Sequence, residues 1–371
     1  MHYRRMLIEI ESPEQLGYDT IVNNLSESSA ADQRLSDLGL DLDLDDLLLC
    51  YGDHYGHRGL REQIAAEGDG LSAEDVVVTP GAAAALFCVS SSQLDPGEHA
   101  VVLRTNYATN IETPRTVGAE VDFVDLRFED GWELDLDRLD SLVRPETKLI
   151  SLTYPHNPTG AMLSREDLEA VIDIVERSNA VLLFDETYRC LTHGKPLPMV
   201  ASLSDRAVSV ASLSKAYGMP GLRIGWMACR DVALVDTLLA AKEQIFICGS
   251  TLDEAIGAAV LAASDRILPP ILQHVEEHCQ IVGDWVCDEQ FVEWVAPGGG
   301  VVCFPRVTRE AGIDPTTFHQ QLHTDHGTYV GPGHWFDADD HHMRIGYGWP
   351  ATVELRAGLA SISDALHGRK T

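Results

Sequence analysis

Between about residues 75 and 230, short runs of aliphatic and β-branched side chains alternate with stretches whose apolar positions recur at helical spacing. The runs Val76–Thr79, Ala100–Leu103, Val121–Leu126, Leu149–Tyr154, Ala180–Phe184 and Ala207–Ala211 are short and largely apolar, as strands buried on both faces of a mostly parallel sheet are. Ser164 followed by Asp167 marks a helix start, and Leu168, Val171, Ile172 and Val175 then share a helical face that would lie on the sheet. Upstream, Asp37–Leu49 alternates leucine with aspartate and ends in three leucines; the period of two fits a strand, and the same residues fit a loop leading into a short helix. After Ile245 helical patterns dominate up to Pro297-Gly-Gly-Gly300, where Val301–Phe304 resumes as a strand. The chain closes with a helix after Pro350, whose Leu355, Leu359, Ile362 and Leu366 recur at spacings of four, three and four. No internal repeat is visible. The pattern predicts an α/β protein with a mostly parallel sheet in a large domain over 46–245, linking helices and a smaller α+β domain over 246–371, and a segment 1–45 packing with the small domain.

Composition narrows the setting. The 371 residues are 45% apolar, enough for a large core. Basic residues number 27 against 58 acidic ones, for a net charge of −31, which argues against nucleic acid or an anionic membrane surface as a partner. The acids are spread along the chain rather than gathered in a tail, as expected of an evenly acidic, halophile-like surface or of a surface that docks a basic partner. No run of 18 apolar residues occurs, and Met-His-Tyr-Arg-Arg-Met-Leu-Ile-Glu reaches an acid too early for a secretory signal, so a cytoplasmic location is expected. Eight cysteines lie scattered without Cys-x-x-Cys spacing, which suggests reduced, buried thiols.

The candidate chemistry centres on Ser212-Leu-Ser-Lys-Ala-Tyr-Gly-Met-Pro-Gly-Leu-Arg-Ile-Gly-Trp226. Lys215 is one of only five lysines, and a lysine whose surroundings favour the free amine is a Schiff-base nucleophile. Asp185 follows the apolar strand Val181–Phe184 and projects from its C-terminal end, where ligands of open α/β folds sit; taken alone it fits a helix cap equally. Gly81-Ala82-Ala83 falls where a strand yields to a helix, a site for an anion, and Arg223 has the planar fork that binds phosphate oxygens, or forms an ordinary surface ion pair. Tyr154-Pro-His-Asn-Pro-Thr-Gly160 is by composition a turn.

In this order and setting the residues resemble the class I/II aminotransferases, fold type I of the pyridoxal-phosphate (PLP) enzymes, over nearly the whole chain. The resemblance implies a PLP-transferase fold with PLP bonded to Lys215, its ring nitrogen facing Asp185, its 3′ oxygen facing Tyr188 and Asn157, and its ring stacked on Tyr107. It implies a phosphate held by Gly81, Ala82, Ala83, Ser212 and Arg223, a substrate α-carboxylate held by Arg344 with Asn157, and a homodimer in which Tyr51 reaches the neighbouring site. Three positions depart from the family pattern: Tyr154 replaces an Asn, Ala83 stands near the usual Ser or Thr, and Thr105-Asn106 replaces a proline region. The implied catalytic set is Lys215, Asp185 and Tyr188. The implied reaction is transfer of an amino group between an amino acid and a 2-oxo acid.

A narrower resemblance, carried by Pro155-His-Asn-Pro-Thr-Gly160, Leu213-Ser-Lys-Ala-Tyr-Gly218, Gly299-Gly-Val-Val-Cys-Phe-Pro305 and Met343-Arg-Ile-Gly, is to the capreomycidine-synthase branch, which implies elimination or cyclisation as the alternative. A PLP-fold regulator without turnover fits less well, because the chain has no basic DNA-binding helix. His274-Val-Glu-Glu-His278 matches a zinc string but lies in a polar helical stretch away from the other candidates, so no metal is assigned. His323 with His326, and His341 with His342, lack a third clustered ligand. The acidic surface predicts that cooperative folding, followed by circular dichroism, requires molar salt; full folding in dilute buffer would remove that reading.

Overall fold

The computed structural model describes residues 1–369, and its centre is a seven-stranded sheet. Its strands are β1 (Val76–Thr79), β2 (His99–Arg104), β3 (Glu120–Asp125), β4 (Thr147–Thr153), β5 (Val181–Asp185), β6 (Ala207–Ser212) and β7 (Gly225–Ala228). They lie in the order β1-β7-β6-β5-β4-β2-β3. All pairings are parallel except those of β7, which runs antiparallel to both β1 and β6. The six strands expected from the hydrophobic runs are all present, with ends shifted by a residue or two, and β7 is added. The inner strands are buried along nearly their full length, whereas the edge strand β3 exposes Glu120 and Asp125, charges that discourage edge pairing.

Two helical layers cover the sheet. Helices α3 (Ala82–Gln93) and α4 (Ala108–Val117), with Val232–Phe246, pack Leu86, Val89, Ile111 and Leu238 onto one face. Helix α5 (Arg165–Arg177) packs Leu168, Val171, Ile174 and Val175 onto the other, each such side chain contributing roughly 1.5–3 kcal/mol when fully buried. A capping box of Ser164 and Asp167 starts α5 as expected, while Ile172 is only partly buried and Ile174 takes the inner position. A third cluster joins Ser264–Asp288 and Thr352–Leu366, and in the latter Leu355, Leu359, Ile362 and Leu366 are the buried stripe that the spacing predicts. The expected strand Val301–Phe304 is reduced to Val302–Cys303, paired with Met343–Gly346. Asp37–Leu49 forms neither strand nor helix beyond the 3-10 turn Leu35–Leu38; Leu40 and Leu42 lean on the core while Leu48 and Leu49 are about three-quarters exposed. All eight cysteines are free, but Cys50 and Cys287 are exposed, which corrects the expectation of buried thiols. No single helix among the described residues is long and apolar enough to cross a membrane.

The N-terminal segment is fastened to the C-terminal part. Asn23–Asn24 pairs in parallel with Thr328–Tyr329. Two four-residue helices precede it, α1 (Leu7–Ile10) and α2 (Pro13–Leu16), and Glu11 between them is held three ways. Trp335 Nε1 donates to Glu11 Oε2 over 2.7 Å, Tyr329 Oη donates to the Glu11 carbonyl over 2.7 Å, and His334 Nε2 lies 2.8 Å from Glu11 Oε2. His334 Nδ1 meets Asp340 Oδ1 at 2.9 Å, and the two carboxylates, Asp340 first, lift this imidazole to about 9. A raised pKa means that the stabilisation is complete below the ordinary histidine value of about 6.5 and is lost as pH rises through about 9. Melting temperatures measured from pH 6 to 10 should therefore fall more steeply for the parent than for His334→Gln across that window; parallel profiles would refute the linkage.

Candidate active site

Parallel pairing brings the last residues of neighbouring strands to one edge of the sheet. Thr153 ends β4, Asp185 ends β5 and Ser212 ends β6, and all three line a cavity of about 220 Å³. Asp185 is 6% exposed. Its Oδ1 accepts from Thr187 N at 3.2 Å and Thr187 Oγ1 at 2.7 Å, and its Oδ2 accepts from Asn110 Nδ2 at 3.2 Å. Asn110 also donates to Thr153 Oγ1 at 3.1 Å, so α4 and two strand ends hold the carboxylate jointly. Burial pushes the Asp185 carboxyl up, and these hydrogen bonds oppose it.

Lys215 lies just beyond the end of β6. Its Nζ donates to Ser28 Oγ at 3.1 Å, and burial lowers its pKa, which favours the free amine. Arg344, on the strand Met343–Gly346, is 3% exposed. Its Nη1 donates to Asn157 Oδ1 at 3.1 Å and its Nη2 to the Ser26 carbonyl at 2.5 Å, whereas the buried Nε has no partner. The Phe336 ring centre lies 4.9 Å from the guanidinium carbon and that of Trp335 5.9 Å, which holds the group in place. Tyr188 Oη donates to the Ser28 carbonyl at 2.7 Å, and burial pushes both Tyr188 and Tyr107 up to about 12.

At the start of α3, Ala82 and Ala83 line the same cavity as Ser212, Ser214 and Arg223. First-turn N–H groups have no intrahelical acceptor, which makes this corner suited to an anion. Gly81 stands behind it at φ 84°, and a Cβ there would fall 2.5 Å from Arg223 Nη2. A Cβ on Gly225 of β7 would come within 2.4 Å of the Gly81 carbonyl carbon. The corner is thus built by close approach of two glycines.

The structure gathers Ala82, Ala83, Tyr107, Asn157, Asp185, Tyr188, Ser212, Lys215, Arg223 and Arg344 around one cavity. Gly81 shapes that cavity from behind without lining it, and Tyr51, 82% exposed, lies outside it. Sequence reading missed Asn110, Thr187, Ser26, Ser28, Trp335 and the acids Glu9, Glu14 and Glu27, all of which except Asn110 line the cavity. Thr187 could have been found from its place two residues after Asp185 in an Asx turn; the N-terminal residues carry no local signal. Other histidines do structural work. His278 bonds the Tyr347 carbonyl and Thr352 Oγ1, each at 2.9 Å, joining two helices. His342 stacks on Phe304 with ring centres 5.0 Å apart, His341 bonds Asp339, and His323 packs on Tyr329.

Whether PLP suits these residues can be judged from their charges. Asp185 and Arg344 are buried and Lys215 is half-buried around one cavity, and among the described residues none of them belongs to an ion pair. Buried charges normally require partners. A cationic ring nitrogen matches Asp185, an aldehyde matches the free amine of Lys215, a phosphate matches the α3 corner with Arg223, and a substrate carboxylate matches the unpartnered Nε of Arg344. The residues fit the group.

The comparisons agree. The sequence model of the family "Aminotransferase class I and II" matches residues 28–358. Capreomycidine synthase of Streptomyces vinaceus is 33% identical over 87% of this chain and 82% of its own length. Arginine–pyruvate transaminase of Pseudomonas aeruginosa is 30% identical over 80% of this chain and 77% of its own. Among solved structures, a PLP-dependent aminotransferase from Streptococcus suis superposes with a TM-score of 0.92 at 28% identity, covering 100% of both chains.

Proposed function

The chain belongs to the class I and II aminotransferase family, whose cofactor is pyridoxal 5′-phosphate, and from that premise we propose that it moves an amino group between an amino acid and a 2-oxo acid. The observation that carries this reading is the gathering of the half-buried Lys215 with the buried Asp185 and Arg344 around one cavity, none of them in an ion pair among the described residues. When bound, the cofactor supplies an aldehyde for the substrate amine and a cationic ring that draws electrons from the substrate's α-carbon. Lys215 would hold it covalently, and its amine, whose pKa burial lowers, would serve as the base that moves the substrate's α-proton. Asp185, fixed by Asn110 and Thr187, would keep the proton on the ring nitrogen. Tyr188 and Asn157 would hold the 3′ oxygen, and Tyr107 would support the ring. Backbone N–H groups of Ala82 and Ala83, with Ser212 and Arg223, would hold the phosphate in the corner that Gly81 keeps open. Arg344 and Asn157 would clamp the α-carboxylate and so orient the substrate's α-carbon.

A second reading is elimination or cyclisation at the same carbanion, supported by the 33% identity to capreomycidine synthase. The cofactor-loaded enzyme, incubated with single amino acids, separates them. Release of a 2-oxo acid with build-up of pyridoxamine phosphate is the expected result, and Lys215→Ala should lower the rate by about 100-fold or more. A cyclised or eliminated product formed without an acceptor would replace transfer with the second reading.

The site is proposed to be shared across a homodimer. Tyr51 lies with the exposed Leu48 and Leu49 outside its own cavity, a surface suited to a second copy of the chain, from which it would reach the neighbour's phosphate. Mixed dimers of Tyr51→Ala and Lys215→Ala chains contain one site with both residues intact, so at limiting cofactor they should recover turnover that neither parent variant shows. Absence of recovery would exclude the shared site.

A further inference from the structure

The sheet edge supplies the floor of the cavity, and the N-terminal segment supplies another part of its lining, including Glu9, Glu14 and Glu27. Among the described residues none of these three carboxylates takes part in an ion pair, although the cavity also holds Lys215, Arg223 and Arg344. Glu27 Oε1 accepts from Tyr18 Oη at 3.0 Å and Asn24 Nδ2 at 3.4 Å, both neutral donors, which fixes the side chain and leaves its second oxygen without a hydrogen bond. The Glu9 and Glu14 carboxylates accept no hydrogen bond from any described residue. Their charges are felt inside the cavity, because Glu27, Glu14 and Glu9 each act on Lys215 against the effect of burial.

An independent observation orients a ligand there. Arg344, buried and with an unpartnered Nε, is placed to take a carboxylate, and Lys215 marks where an amine reacts. An amino acid held at both points has only its side chain left to meet the remaining lining. A carboxylate-ended side chain there would face three like charges, and an aliphatic one would leave the acids unmatched.

We propose that the substrate is an amino acid whose side chain ends in a cation, a guanidinium or an ammonium group, received by Glu27 together with Glu9 and Glu14. The inference rests on the aminotransferase reading of the site and adds its substrate class. A net charge of −31 attracts cations everywhere on the surface, so the local effect has to be separated from the general field, which salt screens beyond about 10 Å at 0.1 M ionic strength.

The test uses the cofactor-loaded enzyme at about 0.5 M salt, comparing kcat/KM for L-arginine with that for L-citrulline, which has the same length without the charge, and for L-lysine with that for L-glutamate. The cationic member of each pair should be preferred by roughly tenfold or more. Glu27→Gln, Glu9→Gln and Glu14→Gln should each reduce the preference, chiefly through KM. Asp173→Asn, an exposed acid of α5 outside the cavity, should leave the ratio alone. Equal use of arginine and citrulline, a preference for glutamate, or a preference that Asp173→Asn erodes as much as Glu27→Gln does would overturn the inference. The two readings fail separately: neutral amino acids transaminated as well as cationic ones leave the reaction standing and remove the substrate class. Arginine consumed selectively without an acceptor removes transamination and keeps the cationic subsite. If no amino acid reacts, both fall.

Discussion

A carboxylate sealed at the end of β5 with no ion-pair partner among the described residues, only the field of Lys215 across the cavity, is costly, because an unpaired ion inside a protein loses several kcal/mol of hydration. Asp185 is tolerated through three neutral donors, from Asn110 on α4 and from both the backbone and hydroxyl of Thr187. That requirement reaches outward. Asn110 must also meet Thr153 at the end of β4, so the register of β4 against β5 and the seating of α4 are set by the same cluster. Across the cavity, Arg344 is restrained by Asn157, the Ser26 carbonyl and two aromatic rings. Charges of both signs are thereby held ready, and little reorganisation is left for the moment of reaction.

What could be read from the sequence was what is local. The strands of the sheet announce themselves as short apolar runs, and the start of α5 is written in Ser164 and Asp167, three residues apart. Lys215, Asp185 and Arg223 were found because they stand at strand ends or in a recognisable string. The strand β7 was hidden because Gly225-Trp-Met-Ala228 has no β-branched side chain and directly follows the lysine string; only its pairing with β1 and β6 makes it a strand. Asp37–Leu49 has the alternation of a strand but finds no partner, so the periodicity is spent on two leucines resting against the core. Asn110 and the three N-terminal acids were illegible for the opposite reason. The acids reach the cavity, and Asn110 the Asp185 carboxylate on its floor, through contacts spanning much of the chain, and nothing in their immediate neighbours records that meeting.

The division of the cavity between two stretches of chain has a consequence for how such a protein can change. The chemistry belongs to strand ends deep in the sheet, where a substitution disturbs packing on every side. The acids belong to α1, α2 and the short segment after them, a strip secured at Glu11 by His334, Trp335 and Tyr329, at Asn23–Asn24 by one short pairing, and at Ser26 and Ser28 by Arg344, Lys215 and Tyr188. Mutations of the three acids in that strip would remodel which molecule is admitted while Lys215, Asp185 and Arg344 keep their hydrogen-bond partners. Divergence among proteins that share this floor would then be written mainly in their first thirty or so residues, and grafting that strip from one homologue to another would be the economical route to a new specificity.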